Sequence, residues 1–91
     1  MKSIPKTTTP YKRTPTFCED SIPKGLLKAH QTKAGTWGKI VVLHGELLYR
    51  ILAPTIEEIP LSTESFGVVE PQVLLEVQPS GQASFYVEFY R

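Results

Sequence analysis

Residues 83–90 read Ala-Ser-Phe-Tyr-Val-Glu-Phe-Tyr, and this stretch decides the fold class. Its odd-numbered positions are all apolar, whereas its even-numbered positions can all form hydrogen bonds. Because successive side chains of a strand point to opposite faces, this alternation predicts a β-strand with one buried face and one polar face. Glu88 lies on the polar face between Tyr86 and Tyr90. That face either lines a cavity or is directed outward.

Short strand patterns also occupy the middle of the chain. Residues 39–43, Lys-Ile-Val-Val-Leu, are rich in β-branched side chains and predict a strand. The sequence His-Gly-Glu at 44–46 predicts a tight hairpin turn, in which Gly45 takes a positive φ. We therefore expect residues 46–52 to return as the partner strand.

The remaining strand signals complete an all-β pattern. Strands are predicted at residues 25–30, 57–61, 68–70 and 73–78. The strand at 57–61 should lie at a sheet edge, because Pro60 cannot donate to a ladder. Six or seven short strands without a long helical stripe predict a single-domain antiparallel β-barrel or sandwich.

Length and composition limit the class of protein. With 91 residues, the chain is large enough for one domain. Its single cysteine, Cys18, permits no internal disulfide, and no apolar run approaches the length of a membrane span. We therefore expect a cytoplasmic protein that does not bind a membrane. The proline- and threonine-rich start predicts a flexible N-terminal arm over residues 1–10, followed by a domain over residues 11–91.

The small net charge of +1 conceals two oppositely charged halves. Residues 1–50 contain nine lysines or arginines and three acids, which gives +6, whereas residues 51–91 contain one arginine and six glutamates, which gives −5. Such a split is typical of a basic nucleic-acid arm or of two halves that neutralise each other. In an antiparallel fold, strands of the two halves should lie side by side. We therefore expect no nucleic-acid partner.

Five blocks of the sequence resemble one known family. They are residues 11–17 (YKRTPTF), 23–38 (PKGLLKAHQTKAGTWG), 42–47 (VLHGEL), 69–72 (VEPQ) and 85–91 (FYVEFYR). Together they are similar to the TehB/YeaR-like domain, a cupin-like family associated with tellurite resistance. The resemblance implies a cupin-like antiparallel β-barrel. It also implies a domain that either stands alone or precedes a methyltransferase dependent on S-adenosylmethionine, for which 91 residues leave no room.

The candidate site residues are His30, Lys33, Trp37, Gln72 and Glu88. Trp37, flanked by glycines, either caps the open end of the core or forms one wall of a pocket, and Lys33 is either solvated or paired with an anion. We expect these residues to bind a small polar or anionic ligand inside the barrel. The predicted function is a small-ligand-binding or stress-response module related to tellurite or another oxyanion, more a binding protein than an enzyme.

Two alternatives remain open. In the first, the chain is a metal-dependent cupin enzyme in which His30 and Glu88 ligate a divalent zinc, iron or nickel ion. The resemblance implies a second histidine at position 75, where this chain has Leu75. In the second alternative, the chain is a structural protein that forms a homodimer. No catalytic residue is assigned, and no cofactor is certain.

Overall fold

A computed structural model describes residues 3–27 and 30–91, and this part of the chain consists of nine β-strands and one short helix. In chain order the elements are β1 (Pro10–Arg13), β2 (Phe17–Cys18), α1 (Lys24–Leu27), β3 (His30–Gln31), β4 (Trp37–His44), β5 (Leu47–Ala53), β6 (Glu57–Leu61), β7 (Gly67–Val69), β8 (Leu74–Pro79) and β9 (Ser84–Tyr90). The prediction of a single-domain all-β fold is confirmed.

The strands form two antiparallel sheets. Sheet A has the order β1-β9-β4-β7, with β2 also paired to β9, and sheet B has the order β3-β8-β5-β6. Each sheet alternates strands from the basic and the acidic part of the chain, as the charge pattern predicted. Arg50 on β5 illustrates the result, because it pairs with Glu58 on β6 and with Glu76 on β8. The two charged halves therefore neutralise each other within the sheets.

The hydrophobic core lies between the two sheets. The largest fully buried side chains are Tyr49, Phe85, Ile40, Leu47, Leu61 and Val69. Along β9, Phe85 and Val87 are buried and Phe89 is partly buried, so the predicted apolar face does point into the core. The polar face of β9, which carries Glu88, is consequently directed away from sheet B.

The predicted hairpin between β4 and β5 is wrong. The strands belong to different sheets: β4 pairs with β7 and β9, whereas β5 pairs with β6 and β8. Gly45 does take a positive φ of 75°, so the turn itself was predicted correctly. A turn signal specifies a reversal of the chain but not the hydrogen-bonding partner. Here the reversal carries the chain from sheet A to sheet B.

The strand predicted at residues 25–30 also needs correction. Its first part is the helix α1, Lys24–Leu27, in which the Leu26 N–H donates to the Pro23 carbonyl at 2.9 Å. Leu26 packs against the core, which one turn of helix permits as readily as a strand does. Residues 28 and 29 lie outside the described part of the chain, and His30–Gln31 is the strand β3. No helix among residues 3–27 and 30–91 is long and apolar enough to cross a membrane.

The edge strand at residues 57–61 is confirmed. β6 lies at the end of sheet B and has the predicted bounds, Glu57–Leu61. Pro60 stands opposite Leu48 in the register. An edge position suits this proline, because a strand with only one neighbour can lack a donor on its other side.

The N-terminal residues lie against the outer side of sheet A. Thr9 and Arg91 exchange two backbone hydrogen bonds, each of 3.1 Å. Just before them, the Thr8 hydroxyl donates to the Pro5 carbonyl at 2.6 Å, which closes a turn. These bonds place residues 3–8 next to the end of β9. The division into an arm over residues 1–10 and a domain over residues 11–91 stays a prediction.

Candidate functional site

The space between the two sheets is too small for the ligand predicted there. The interior cavity measures about 20 Å³ and is lined by Leu26, Thr32, Gly38, Ile40, Val69, Leu75, Val77, Phe85, Val87 and Phe89. This volume is roughly that of a single water site. Among these residues the one polar side chain is satisfied, since the Thr32 hydroxyl donates to the Glu70 carbonyl at 2.9 Å and accepts from the Gln72 N–H at 3.0 Å. The interior is therefore a packed core.

Of the predicted site residues whose side chains are described, none lines the interior cavity. Lys33 is exposed in a turn closed by the Thr36 N–H, which donates to the Lys33 carbonyl at 3.1 Å. Gln72 is exposed in the turn before β8, at a φ of 62°. His30 is placed by its backbone in β3, paired with Leu75 of β8, and its side chain lies outside the described part of the structure. The backbones of these three residues lie near one another, because the Gln72 N–H donates to the hydroxyl of Thr32, the neighbour of Lys33, and β3 pairs with β8.

Trp37 and Glu88, in contrast, share the outer face of sheet A. Trp37 lies opposite Tyr90 in the register of β4 and β9, and Glu88 lies opposite Lys39. All four side chains are half-buried and alternate with core residues, so they point away from sheet B. Glu88 therefore points away from the space between the sheets, whereas the side chain of His30 lies outside the described part of the structure.

A wide concavity lies on this outer face. It is formed between residues 3–8 and sheet A, has a volume of about 490 Å³, and is called the N-terminal groove below. Its lining residues are Ser3, Ile4, Pro5, Lys6, Thr8, Lys39, Phe66, Val68 and Tyr90. The lining combines two lysines, three hydroxyl-bearing side chains and an apolar wall. This is the mixture expected of a site for a small polar ligand.

Lys39 provides positive charge on the floor of the groove. β4 holds it between Glu88 of β9 and Val68 of β7, its two register partners. Its Nζ atom lies 4.5 Å from the centroid of the Phe66 ring, a cation–π geometry that fixes the ammonium while leaving it without a carboxylate ligand. Lys6, which is exposed, contributes a second positive charge from the N-terminal segment.

Tyr90 and Glu88 form a hydrogen-bonded pair at the groove. The Tyr90 hydroxyl donates to Glu88 Oε1 at 2.8 Å. This hydrogen bond is the main reason that the pKa of Tyr90 is raised above its usual value, with burial and the charge of Glu88 adding to it. Since a phenol has one proton, the Tyr90 oxygen presents only lone pairs to any other partner.

Four groove residues were not predicted from the sequence, namely Lys6, Lys39, Phe66 and Tyr90. One signal for Lys39 was available, because it precedes the buried Ile40 in a strand and must therefore point outward. No local pattern, however, connects residues 3–8 with β9. The groove exists because the backbone pairing of Thr9 with Arg91 brings the two ends of the domain together.

A metal centre finds no ligand set in the described part of the structure. Residues 3–27 and 30–91 contain no group of three or more histidine, cysteine, aspartate or glutamate side chains arranged to hold an ion. A cupin-type metal enzyme built on His30 and Glu88 would need both side chains at one point, and the Glu88 carboxylate instead accepts from the Tyr90 hydroxyl on the outer face of sheet A.

Comparison with known proteins identifies related sequences. A family model described as the TehB-like domain matches residues 12–87. Two curated proteins of Haemophilus influenzae, from strains KW20/Rd and 10810, are 38% and 33% identical to the chain over 72 residues. Each is named as a probable S-adenosyl-L-methionine-dependent methyltransferase TehB. The matches cover 75% of this chain but 25% of each relative, so the chain spans about a quarter of their length.

Solved structures show the same architecture. A crystal structure of an E. coli (strain K12) protein aligns with a TM-score of 0.90 and 21% identity, covering 100% of this chain and 97% of that one. At this identity the similarity establishes the fold alone. The crystal structure of TehB from Haemophilus influenzae aligns with a TM-score of 0.85 and 32% identity, covering 93% of this chain and 32% of TehB.

Proposed function

This chain belongs to the TehB-like domain family, and on that premise we propose that it binds a small oxyanion, with tellurite as the reference ligand, in the N-terminal groove. The observation that carries the proposal is the groove itself, in which Lys6 and Lys39 line one concavity together with Ser3. The proposed role is ligand binding in a tellurite-related stress response. It moves the predicted anionic-ligand site from the interior to the outer face of sheet A.

The charge of Lys39 supports an anionic ligand. Among the described residues, the side-chain ion pairs are those of Arg50 with Glu58 and Glu76. The ammonium of Lys39 rests instead on the Phe66 ring, so its charge is not cancelled by a carboxylate in contact. A half-buried ammonium in a concave site attracts anions more strongly than a fully solvated one, because it is less screened by water.

The relatives' names do not by themselves assign methyl transfer to this chain. Three quarters of each relative lies outside the match, and that remainder has the length needed for a further domain. S-adenosylmethionine does not fit the interior described here, whose cavity of about 20 Å³ holds no more than a water. We therefore propose ligand binding, rather than methyl transfer, as the contribution of the TehB-like domain.

The test is titration of the chain with tellurite at low ionic strength. Trp37, the one tryptophan, stands opposite the groove residue Tyr90, so its fluorescence should report occupancy. We expect Lys39→Met to weaken binding by about ten-fold or more, because loss of one charge from a partly buried anion site typically costs that much. Lys6→Met should have a smaller effect, since Lys6 is exposed.

Lys33→Met is the matched control. Lys33 is also a lysine on the first half of the chain, but it lies in the turn before β4 and does not line the groove. Its removal should leave the affinity unchanged. If Lys33→Met weakens binding and Lys39→Met does not, the site is the one first predicted around Lys33, and the groove proposal is wrong. Wild-type protein that binds no oxyanion would also overturn it.

Several earlier expectations stay predictions. They are the ligand roles of His30, Lys33, Trp37 and Gln72, the homodimer, and the cytoplasmic location. Glu88 acquires a different role from the one first expected, because it acts beside the groove through Tyr90 rather than inside the core.

A further inference from the structure

We propose that the N-terminal groove selects oxyanions that still carry a proton, such as hydrogentellurite and hydrogenselenite, over fully deprotonated ones such as selenate, sulfate and nitrate. This inference rests on the proposed oxyanion site and narrows its ligand class. It follows from the hydrogen-bonding state of Tyr90, which makes one part of the groove an acceptor rather than a donor.

The first step concerns the direction of the Tyr90 hydrogen bond. Its only proton is directed to Glu88 Oε1 at 2.8 Å. A ligand oxygen that approaches Tyr90 therefore meets lone pairs, and an attractive contact requires a hydrogen on the ligand. A protonated oxyanion supplies this hydrogen as its O–H group, whereas selenate, sulfate and nitrate have none to give near neutral pH.

The second step concerns charge. The Glu88 carboxylate lies directly behind the Tyr90 oxygen and disfavours additional negative charge at that end of the groove. Lys39, the cross-strand neighbour of Glu88, favours one negative charge beside it. A monoanion with an O–H group can satisfy both, with its charged oxygen toward Lys39 and its O–H toward Tyr90. A dianion without an O–H group must place an unprotonated oxygen against the lone pairs of Tyr90.

The third step concerns the stability of the hydrogen bond from the Tyr90 hydroxyl to Glu88. Turning the hydroxyl toward a ligand would remove a hydrogen bond to a charged acceptor, which is among the stronger ones in proteins. The charged and titratable neighbours of Glu88 on the adjacent strands are Arg13 of β1 and Lys39 of β4, with Tyr86 on β9 itself. Arg13 is stacked 3.6 Å above the Tyr86 ring, and Lys39 over Phe66. The Tyr90 hydroxyl is therefore a principal donor to the Glu88 carboxylate.

Selection of a ligand by a hydrogen bond to its O–H group is strong in general. A site built to hydrogen-bond a ligand O–H rejects the analogue that lacks it, because buried polar atoms are then left facing each other without a proton. Charge attraction by lysines, in contrast, requires no proton on the ligand and would favour the dianion. The two contributions can therefore be separated by experiment.

The experiment compares selenite with selenate by calorimetric titration at neutral pH and low salt. These anions share one central element, but only selenite is largely protonated under these conditions. We expect selenite to bind at least about ten-fold more tightly, in the range typical of hydrogen-bond discrimination. The preference should decline as the pH is raised and hydrogenselenite loses its proton.

Two variants test the assigned groups. Tyr90→Phe removes the acceptor and should abolish the preference for selenite, while binding that depends on Lys39 persists. Glu88→Gln keeps the size of the side chain but removes its charge, and should raise the affinity for selenate. Tyr86→Phe, on the same face of β9 but outside the groove, is the matched control and should preserve the wild-type preference.

The outcomes separate the two proposals. If both anions bind equally to the wild type and Lys39→Met weakens both, the oxyanion site stands and the proton selectivity is wrong. If neither anion binds, the oxyanion site itself is overturned and the selectivity with it. Circular dichroism of each variant verifies the fold, and the conservative Glu88→Gln variant decides the matter if Tyr90→Phe does not fold.

Discussion

The hydroxyl of Tyr49, in sheet B, donates a hydrogen bond of 3.1 Å to the backbone carbonyl of Val68, in sheet A. Tyr49 is completely buried, and it is the one tyrosine whose side chain crosses the core. Burial, with smaller contributions from Glu70 and Glu57, raises the pKa of Tyr49, so the phenol stays protonated and remains a donor. The bond therefore links the two sheets directly.

Removing this hydroxyl should destabilise the fold without emptying the core. We expect Tyr49→Phe to lower the free energy of unfolding by about 1–2 kcal/mol, the usual effect of losing a buried hydrogen bond. Chemical denaturation would measure it. Tyr11→Phe, at a tyrosine that is 41% exposed, is the control and should leave the free energy nearly unchanged. Equal effects of the two substitutions would contradict a specific role for the link between sheets.

The turn from β4 to β5 requires glycine for two reasons. Gly45 has a φ of 75°, and a Cβ atom there would lie 2.1 Å from the carbonyl oxygen of Gln82. Gly81 has nearly the same φ, 74°, but no atom lies within 4 Å of a Cβ added there. Gly81→Ala should therefore cost only the backbone strain, about 1 kcal/mol.

Gly45→Ala should cost considerably more than Gly81→Ala, because a backbone carbonyl must move as well as the residue itself. We expect a loss of about 3 kcal/mol or failure to accumulate folded protein. Thermal denaturation of both variants gives the comparison. A similar melting temperature for the two would mean that the approach of Gln82 to Gly45 does not constrain the turn.

Arg50 joins three strands of sheet B through its guanidinium. Its Nε lies 2.9 Å from Glu58 Oε2, and its Nη1 lies 2.5 Å from Glu76 Oε1. These two carboxylates raise the pKa of Arg50 above its usual value, mainly through Glu76. We expect Arg50→Gln to lower stability at low salt, because two glutamates then face each other across β5 without a cation.

The salt dependence identifies the origin of that loss. Added salt screens exposed charges, so the difference between wild type and Arg50→Gln should shrink as the salt concentration rises. Urea denaturation at low and high salt measures it. A difference that stays constant with salt would instead assign the effect to packing of the arginine stem.

Glu19 makes the stability of the fold depend on pH in the acidic range. Its Oε1 accepts a hydrogen bond of 3.0 Å from the Ala83 N–H, which connects the segment after β2 to the start of β9. That bond is the main cause by which the pKa of Glu19 is lowered from 4.5. A lowered pKa in the folded state means that the carboxylate contributes stability above pH 4.5, and that the contribution is lost as the pH falls through the lower folded value.

Glu19→Gln should therefore flatten the pH dependence of stability in this acidic range. The measurement is the denaturation midpoint of wild type and variant at a series of pH values from neutral to acidic. Asp20→Asn, at the exposed neighbouring acid, is the matched control. If Asp20→Asn flattens the curve as much as Glu19→Gln does, the hydrogen bond to Ala83 is not the cause.

Much of the fold follows from patterns that are local in sequence. The alternation in residues 83–90 identified β9 and its buried face, and Pro60 correctly identified β6 as an edge strand. The helix at Lys24–Leu27 was missed because a segment of four residues is too short to show a helical period. The placement of β4 and β5 in different sheets was missed because a turn residue such as Gly45 specifies a reversal of the chain but not the strand with which the chain then pairs.

By itself, the sequence determined the fold class, the buried faces of the strands, the mutual neutralisation of the two charged halves and the family. Periodicity and charge specify these features because each depends on which residue types recur at which spacing. Only the tertiary structure decided that the polar face of β9 is directed outward, since a strand with one apolar face is equally consistent with a lined cavity. It also decided that Lys6, Lys39 and Tyr90 share one groove. These residues are distant in sequence, and non-local strand pairing at Thr9 and Arg91 is the physical event that brings them together.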